Sequence, residues 1–349
     1  MFCGNCGQEL RDGAKFCPSC GERTTAPIDV NEVVENGKDD TKSKNGNKII
    51  LIVGLLIVAM VGTLAVFVIK RNNLRGVEQE QVVADVTIRE AFPDFALARG
   101  IAEALGHDSI DEYITQEELD EIETLASGTD MAAVETSKEG ETHRKFDVYL
   151  KDNTVESLEG IQYCRNLSEV YLRQQGISDF SFLENMVKME RITIEGEKLE
   201  QEINLAVLKN MRELNCLRIS DIEVENIAAL GSLDKLIEVE MNRCNIESLK
   251  GIEKLSQLSV LWLMGNKISD LRPLAKLQNI QILVIMENQI VDIAPLGDMK
   301  NLISLEIDDN NIKDVTPLIQ LPNLQYVSLI GNEVDNIDIL YGVVEEIEY

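Results

Sequence analysis

Leu258-Ser-Val-Leu261-Trp-Leu263-Met-Gly-Asn266-Lys-Ile268 decides the fold, because its frame keeps returning. It comes back as Leu283-x-Ile285-x-x-Asn288-x-Ile290, Leu305-x-Ile307-x-x-Asn310-x-Ile312 and Val327-x-Leu329-x-x-Asn332-x-Val334. Successive frames lie 22 residues apart. A fixed period carrying L-x-x-L-x-L-x-x-N is the signature of a leucine-rich repeat solenoid, an α/β architecture of stacked coils. One coil cannot bury its own apolar edge, so neighbours must stack to build a core.

The frame extends toward the N-terminus. Its Asn slot falls at 153, 175, 197, 222, 244, 266, 288, 310 and 332: nine coils, with a three-residue insertion between 197 and 222. The apolar skeleton holds throughout, as Val148/Leu150, Val170/Leu172, Ile192/Ile194, Leu217/Ile219 and Val239/Met241. The Asn slot is less faithful, holding Asn153, Gln175, Glu197, Ile222 and Cys244 before asparagine returns. Asparagine there can satisfy the backbone groups of the tight turn after each strand. The coils from 175 to 244 are therefore expected to be less regular than those after 260. Gly342-Val343-Val344 and Ile347-x-Tyr349 point to a partial tenth coil.

Strand side chains alternate, so the residues flanking each apolar skeleton pair face away from the core. Early coils present Asp147/Tyr149/Lys151, Glu169/Tyr171/Arg173 and Arg191/Thr193/Glu195, a mixed polar surface. The fifth presents Glu238, Glu240 and Asn242. The sixth and seventh present Val260, Trp262, Met264 and Ile282, Val284, Met286. The eighth returns to Ser304, Glu306 and Asp308, and the ninth gives Tyr326, Ser328 and Ile330. With strands about 4.8 Å apart, six apolar residues become contiguous, rimmed by Glu238, Glu240, Glu306 and Asp308, with Tyr326 beyond. A polar-rimmed apolar patch holding the single tryptophan of the chain reads as a ligand site. Its partner would offer an apolar anchor flanked by basic groups. A second copy of the chain is the rival occupant.

The chain has 349 residues and a formal net charge of −28, unevenly spread. Residues 1–48 carry −1, residues 49–69 no charge, and residues 70–349 carry −27. Such an acidic domain repels nucleic acid and anionic headgroups. The layout reads as a zinc ribbon (1–23), a flexible linker (24–48), a transmembrane helix (49–69), a stalk (70–84), a helical cap (85–128) and the repeats (129–349).

Cys3-Gly-Asn-Cys6 and Cys17-Pro-Ser-Cys20 are paired C-x-x-C turns, each followed by glycine. Four thiolates from two facing turns make the tetrahedral site that zinc prefers. So short a segment has no core, so zinc would supply its folding energy. Ile49 to Ile69 is an uncharged run of 21 residues, enough to span the ~30 Å hydrocarbon core as a helix. Flanking lysines and arginines nearly balance, so the reducing compartment that thiolates need sets the orientation. The expected topology is N-terminus cytoplasmic, repeats extracellular, in a single-pass membrane protein.

Between span and repeats, Pro93 fits a first helical position. Phe95, Ala98, Ile101, Ala102 and Leu105 recur at helical spacing up to Gly106. Thr115-Gln-Glu-Glu118 is a capping box for a second helix, with Leu119, Ile122 and Leu125 on one face. Phe92-Pro-Asp94, Ala96-Leu97-Ala98, Leu105-Gly106, Ile114-Thr115-Gln116 and Glu118-Leu119 resemble the helical cap of the internalin-type leucine-rich repeat proteins of Gram-positive bacteria. Leu158-Glu-Gly160-Ile161-Gln-Tyr163, with Asn166-Leu167, is similar to that family's first repeat, and Ile268-Ser-Asp270-Leu271-Arg-Pro273-Leu274 to its later ones. The resemblance implies a curved solenoid, a parallel sheet on the concave side, 3₁₀ turns outside, and partner binding on the concave face. An adhesin role toward host cells is not implied, because a zinc ribbon and an uncleaved span replace the usual cleaved signal and wall anchor.

No motif that catalysis needs is present, so no enzyme activity and no catalytic residue is expected. His107 and His143 read as exposed loop residues, and Cys164, Cys216 and Cys244 as free thiols. Asp308-Asp309 reads as solvated acidic surface rather than a calcium site. Two functions remain in view: a membrane-tethered recognition module, or a transmembrane regulator coupling outer binding to a cytoplasmic partner of the zinc ribbon.

Overall fold

A computed structural model describes residues 86–127, 147–150, 155–173, 176–196 and 201–349. The chain divides into two units, Met1–Val68 and Ile69–Tyr349, and all described residues lie in the second. The zinc ribbon with Cys3, Cys6, Cys17 and Cys20, the linker, the candidate span and the stalk lie outside the described residues. So do residues 128–146 with His143, Lys151, and the first three Asn slots. Among the described residues no helix is long and apolar enough to cross a membrane.

The cap begins with β1 (Val86–Thr87), α1 (Ile88–Ala91) and α2 (Phe95–Leu105), followed by β2 (Tyr113–Ile114) and α3 (Gln116–Leu119). β1 and β2 pair antiparallel. Asp94, not Pro93, opens α2: its Oδ1 accepts from the Ala96 and Leu97 amides. Its Oδ2 accepts from the Glu156 and Ser157 amides, so one carboxylate caps the helix and ties it to the first repeat. Gly106 ends α2 in the left-handed region at φ 79°. Thr115 and Glu118 form the expected capping box. The second helix is a single turn, however. Thr124–Ser127 is an extended strand, β3.

Eleven strands form one parallel sheet among the described residues. After β3 come β4 (Val148–Leu150), β5 (Glu169–Arg173) and β6 (Arg191–Glu195). A three-residue strand β7 (Glu202–Asn204) precedes β8 (Cys216–Ser220), β9 (Glu223–Glu225) and β10 (Glu238–Asn242). β11 (Val260–Trp262), β12 (Ile282–Val284), β13 (Ser304–Glu306), β14 (Tyr326–Ser328) and β15 (Glu346–Glu348) complete the array. β15 is the partial tenth coil, with Val327 opposite Ile347. β7 and β9 pair only with each other, and β7 lies in the lengthened interval between 197 and 222.

At the cap end the sheet order departs from chain order: β4 lies outside β3, and β3 pairs with β5. The cap thus contributes a strand to the sheet, and the first coil's Val148 and Leu150 become its outer edge. That edge is covered. The Cβ that Gly100 of α2 lacks would fall 2.7 Å from Leu150 Cδ2 and 3.3 Å from Val148 Cγ1. Gly160 is equally constrained, at φ 98° with its missing Cβ only 2.1 Å from the Ala91 carbonyl. The cap also docks by polar contacts: Asp120 pairs with Arg165, and Gln116 Nε2 donates to the Tyr163 carbonyl.

The core is one continuous stack. Leu261, Leu263, Leu283, Ile285, Leu305 and Ile307 are fully buried, each worth roughly 1.5–3 kcal/mol of apolar burial. The 3₁₀ turns Arg272–Lys276, Ala294–Asp298 and Thr316–Gln320 carry buried Leu274, Leu296 and Leu318 on the other wall. Beneath the turns runs an asparagine ladder. Asn288 Oδ1 accepts from the Ile268 amide, and Nδ2 donates to the carbonyls of Leu263, Ile285 and Met286. Asn266, Asn310 and Asn332 repeat the arrangement. Before each of these slots the chain turns left-handed, at Asp221, Arg243, Gly265, Glu287, Asp309 and Gly331.

Candidate functional site

The alternation expected of the strands is what places the candidate site. Leu261 and Leu283 point inward at 0% exposure, while Val260, Trp262, Ile282 and Val284 stand half-buried on the opposite, open face. Val260 is in register with Glu238 on one side and Ile282 on the other. Trp262 sits likewise between Glu240 and Val284. Met264 and Met286 follow the strands and are also half-buried. The six apolar residues therefore form the two adjacent rungs that the sequence implies.

The rim differs from expectation. Glu238 and Glu240 are not free to receive a partner's cation, because Arg218 of β8 already holds them. Its Nε donates to Glu238 Oε1 at 2.7 Å, its Nη2 lies 2.5 Å from the same oxygen, and Glu240 Oε2 is 3.8 Å from Nε. The same guanidinium lies 5.8 Å from the Trp262 ring centroid, a cation–π contact reaching across β10. Burial works against the Arg218 charge, but the Glu238 hydrogen bond and charge more than offset it and keep the group cationic. Burial also pushes the Glu240 carboxyl up, opposed by Arg218. The strand frame carries the signal for Arg218, since it stands between the skeleton residues Leu217 and Ile219.

On the far side, Asp308 is buried rather than a solvated rim carboxylate. Its Oδ1 accepts from Ser328 Oγ at 2.5 Å and from the Ile330 amide at 2.8 Å, which makes it a structural acceptor. Glu306 remains available. It is half-buried between Val284 and Ser328 in register, and burial, then the charges of Asp308 and Glu348, push its carboxyl up. Tyr326 donates its hydroxyl to Glu348 Oε2 at 3.1 Å, so it belongs to the same acidic flank. Ile330, 48% exposed, extends the apolar surface past Asp308.

The remaining special residues are structural. Cys164, Cys216 and Cys244 are free and buried, as expected. Cys244 fills an Asn slot and its Sγ lies 3.3 Å from the Ile219 carbonyl, with burial pushing the thiol up to about 12. His107 is not an exposed loop residue. Its Nδ1 lies 3.1 Å from Glu112 and its Nε2 3.2 Å from Glu118, with 13% of the side chain exposed. Among the described residues no cluster of three or more His, Cys, Asp or Glu could hold a metal ion.

Residues 77–120 match the family described as the N-terminal region of bacterial adhesion/invasion proteins, and residues 2–23 match a zinc-ribbon domain. No curated protein matches. Two solved structures from Listeria monocytogenes are similar over the described fold. One is an internalin C2, at 26% identity and TM-score 0.52, covering 76% of this chain and 98% of that one. The other is an internalin, inlF, at 24% identity and TM-score 0.56, covering 75% and 77%. Cap, parallel sheet and these likenesses together support an internalin-type leucine-rich repeat solenoid.

Proposed function

We propose that this chain is a membrane-anchored leucine-rich repeat binding protein that recognises a protein or cell-surface ligand on the open face of its sheet. The observation that carries this reading is the contiguous apolar patch of Val260, Trp262, Met264, Ile282, Val284 and Met286, half-buried and built around the only tryptophan. Large aromatic side chains in such settings dominate binding energy. The similarity to internalins supports a binding role.

The N-terminal portion of the proposal rests on composition. Ile49 to Ile69 anchors the chain, the repeats lie outside the cell, and Cys3, Cys6, Cys17 and Cys20 hold one zinc ion on the cytoplasmic side. Four thiolates in two C-x-x-C turns are the donor set a structural zinc site uses, and the zinc-ribbon match agrees with it. Zinc content of the full chain beside a Cys17→Ser variant tests the site, and equal content would remove Cys17 from it. Protease added to intact cells tests the topology, and a repeat domain cleaved only after lysis would reverse it.

Binding is tested by capture from a cell-surface fraction on the full chain and on Trp262→Ala. The variant should stay folded and lose the captured partner. A variant that folds and captures the same partner equally would move the site elsewhere. One that unfolds would put Trp262 in the core.

A further inference from the structure

The open face is divided by charge, and the division says where a partner's own charge goes. On the cap side of the patch the acids are matched: Arg173 Nε lies 3.2 Å from Glu195, and Arg218 holds Glu238. From β11 to β15 the face-directed strand residues include Glu306, Glu346 and Glu348 but no lysine or arginine. Tyr326 serves Glu348, whereas Glu306 has no ion pair and stands one strand from Val284. Burial and the neighbouring charges of Asp308 and Glu348 raise the cost of ionising Glu306, so this position gains from an added cation.

Building on the binding role proposed above, we propose that the site takes a protein segment whose apolar anchor on Trp262 and Val284 is followed by a lysine or arginine, and that Glu306 receives this cation. The opposite flank cannot serve, because Arg218 occupies it and would repel a second positive group. The segment is therefore read in one direction, with its cationic end toward β15. A second copy of this chain is a poor occupant, since residues 70–349, of net −27, would bring one acidic flank against another.

The full chain, held in detergent, is used as bait for a displayed library of random twelve-residue peptides, beside Glu306→Gln, Glu238→Gln and Trp262→Ala baits. The wild-type bait should enrich peptides with a lysine or arginine at a constant spacing from an apolar residue. Glu306→Gln should keep the apolar preference and lose the cationic one, while Glu238→Gln keeps both. For the most enriched peptide, measured by fluorescence anisotropy, Glu306→Gln should weaken binding about tenfold and Glu238→Gln less than about twofold. Enrichment of apolar peptides with no cationic position, or one indifferent to Glu306→Gln, overturns this proposal and leaves the binding face standing. No enrichment above the Trp262→Ala bait overturns the binding face itself. Sedimentation across concentrations completes the test: dimerisation abolished by Trp262→Ala makes a second copy the occupant and overturns the cationic segment.

Discussion

The cap-side half of the open face, β5 to β10, and the far half, β11 to β15, share one sheet and one register, yet they differ in how completely they satisfy themselves. On the cap side Arg173 and Arg218 each hold a carboxylate of the next strand, and Cys216 lies buried in register with Arg191 and Glu238. On the far side the same rows hold Trp262, Val284 and the methionines, then Glu306 without a counter-ion. A repeat backbone sets positions, and the residue in each position decides whether the surface closes on itself or waits for a partner. The ladder under the turns divides at nearly the same place. Asparagine bridges every turn from Asn266 onward, whereas Ile222 and Cys244 fill the slot before it, beside the extra β7–β9 pair.

The largest effect expected of this difference is on stability. Asn288→Ala strands the Ile268 amide and removes three donations to buried carbonyls, and should cost about 3 kcal/mol in urea unfolding. Cys244→Ala, which removes only a weak Sγ donor and a little volume, should cost about 1 kcal/mol. Equal losses would show that the two halves are held alike. Binding separates them next. Trp262→Ala should lose about 2 kcal/mol of partner affinity by calorimetry, while Tyr171→Ala, on the cap side, should leave it unchanged. A loss at Tyr171 instead would place the ligand on the self-satisfied half.

Smaller effects sharpen the charge contrast. Arg218→Ala breaks a half-exposed ion pair and should lower stability by less than about 1 kcal/mol, visible as a small shift in the urea midpoint. Glu306→Gln should act in the opposite direction and least of all. Its carboxyl sits above the ordinary 4.5 in the folded chain, so the native state binds more protons than the unfolded one in that window, and stability falls as pH rises through it. The variant should therefore be slightly more stable than wild type at neutral pH. That gain should vanish once the pH falls below the ordinary carboxylate range and the wild-type group is protonated in both states. A variant less stable at neutral pH would mean that Glu306 already has a cationic partner.

Much of this is legible in the sequence, and what is not has a common character. The 22-residue frame told which residues go inward, because strand alternation is local and strict: Leu283 is buried and Val284 is not. The same frame located the asparagine slots and the tenth coil at Ile347, and the Thr115-x-x-Glu118 spacing located the capping box. It did not tell that Thr124–Ser127 leaves the helix that Leu119, Ile122 and Leu125 imply at helical spacing. Short apolar runs fit either period, and here the open edge of the sheet claimed the segment. Nor did it tell that β4 would sit outside β3, since strand order is a choice among partners that present the same apolar pair.

The sequence by itself thus determined the solenoid, its core residues, the paired thiols of the N-terminus and the apolar stripe on coils six and seven, because each is written in spacing along the chain. Only the tertiary structure decided the state of the rim. Arg218 reaches Glu238 on the next strand and Trp262 two strands away, and Asp308 turns down to the Ser328 hydroxyl and Ile330 amide one coil on. Whether a carboxylate on this face is spent or free depends on which donors stacking brings within about 3 Å of it, a distance that spacing along one coil does not contain.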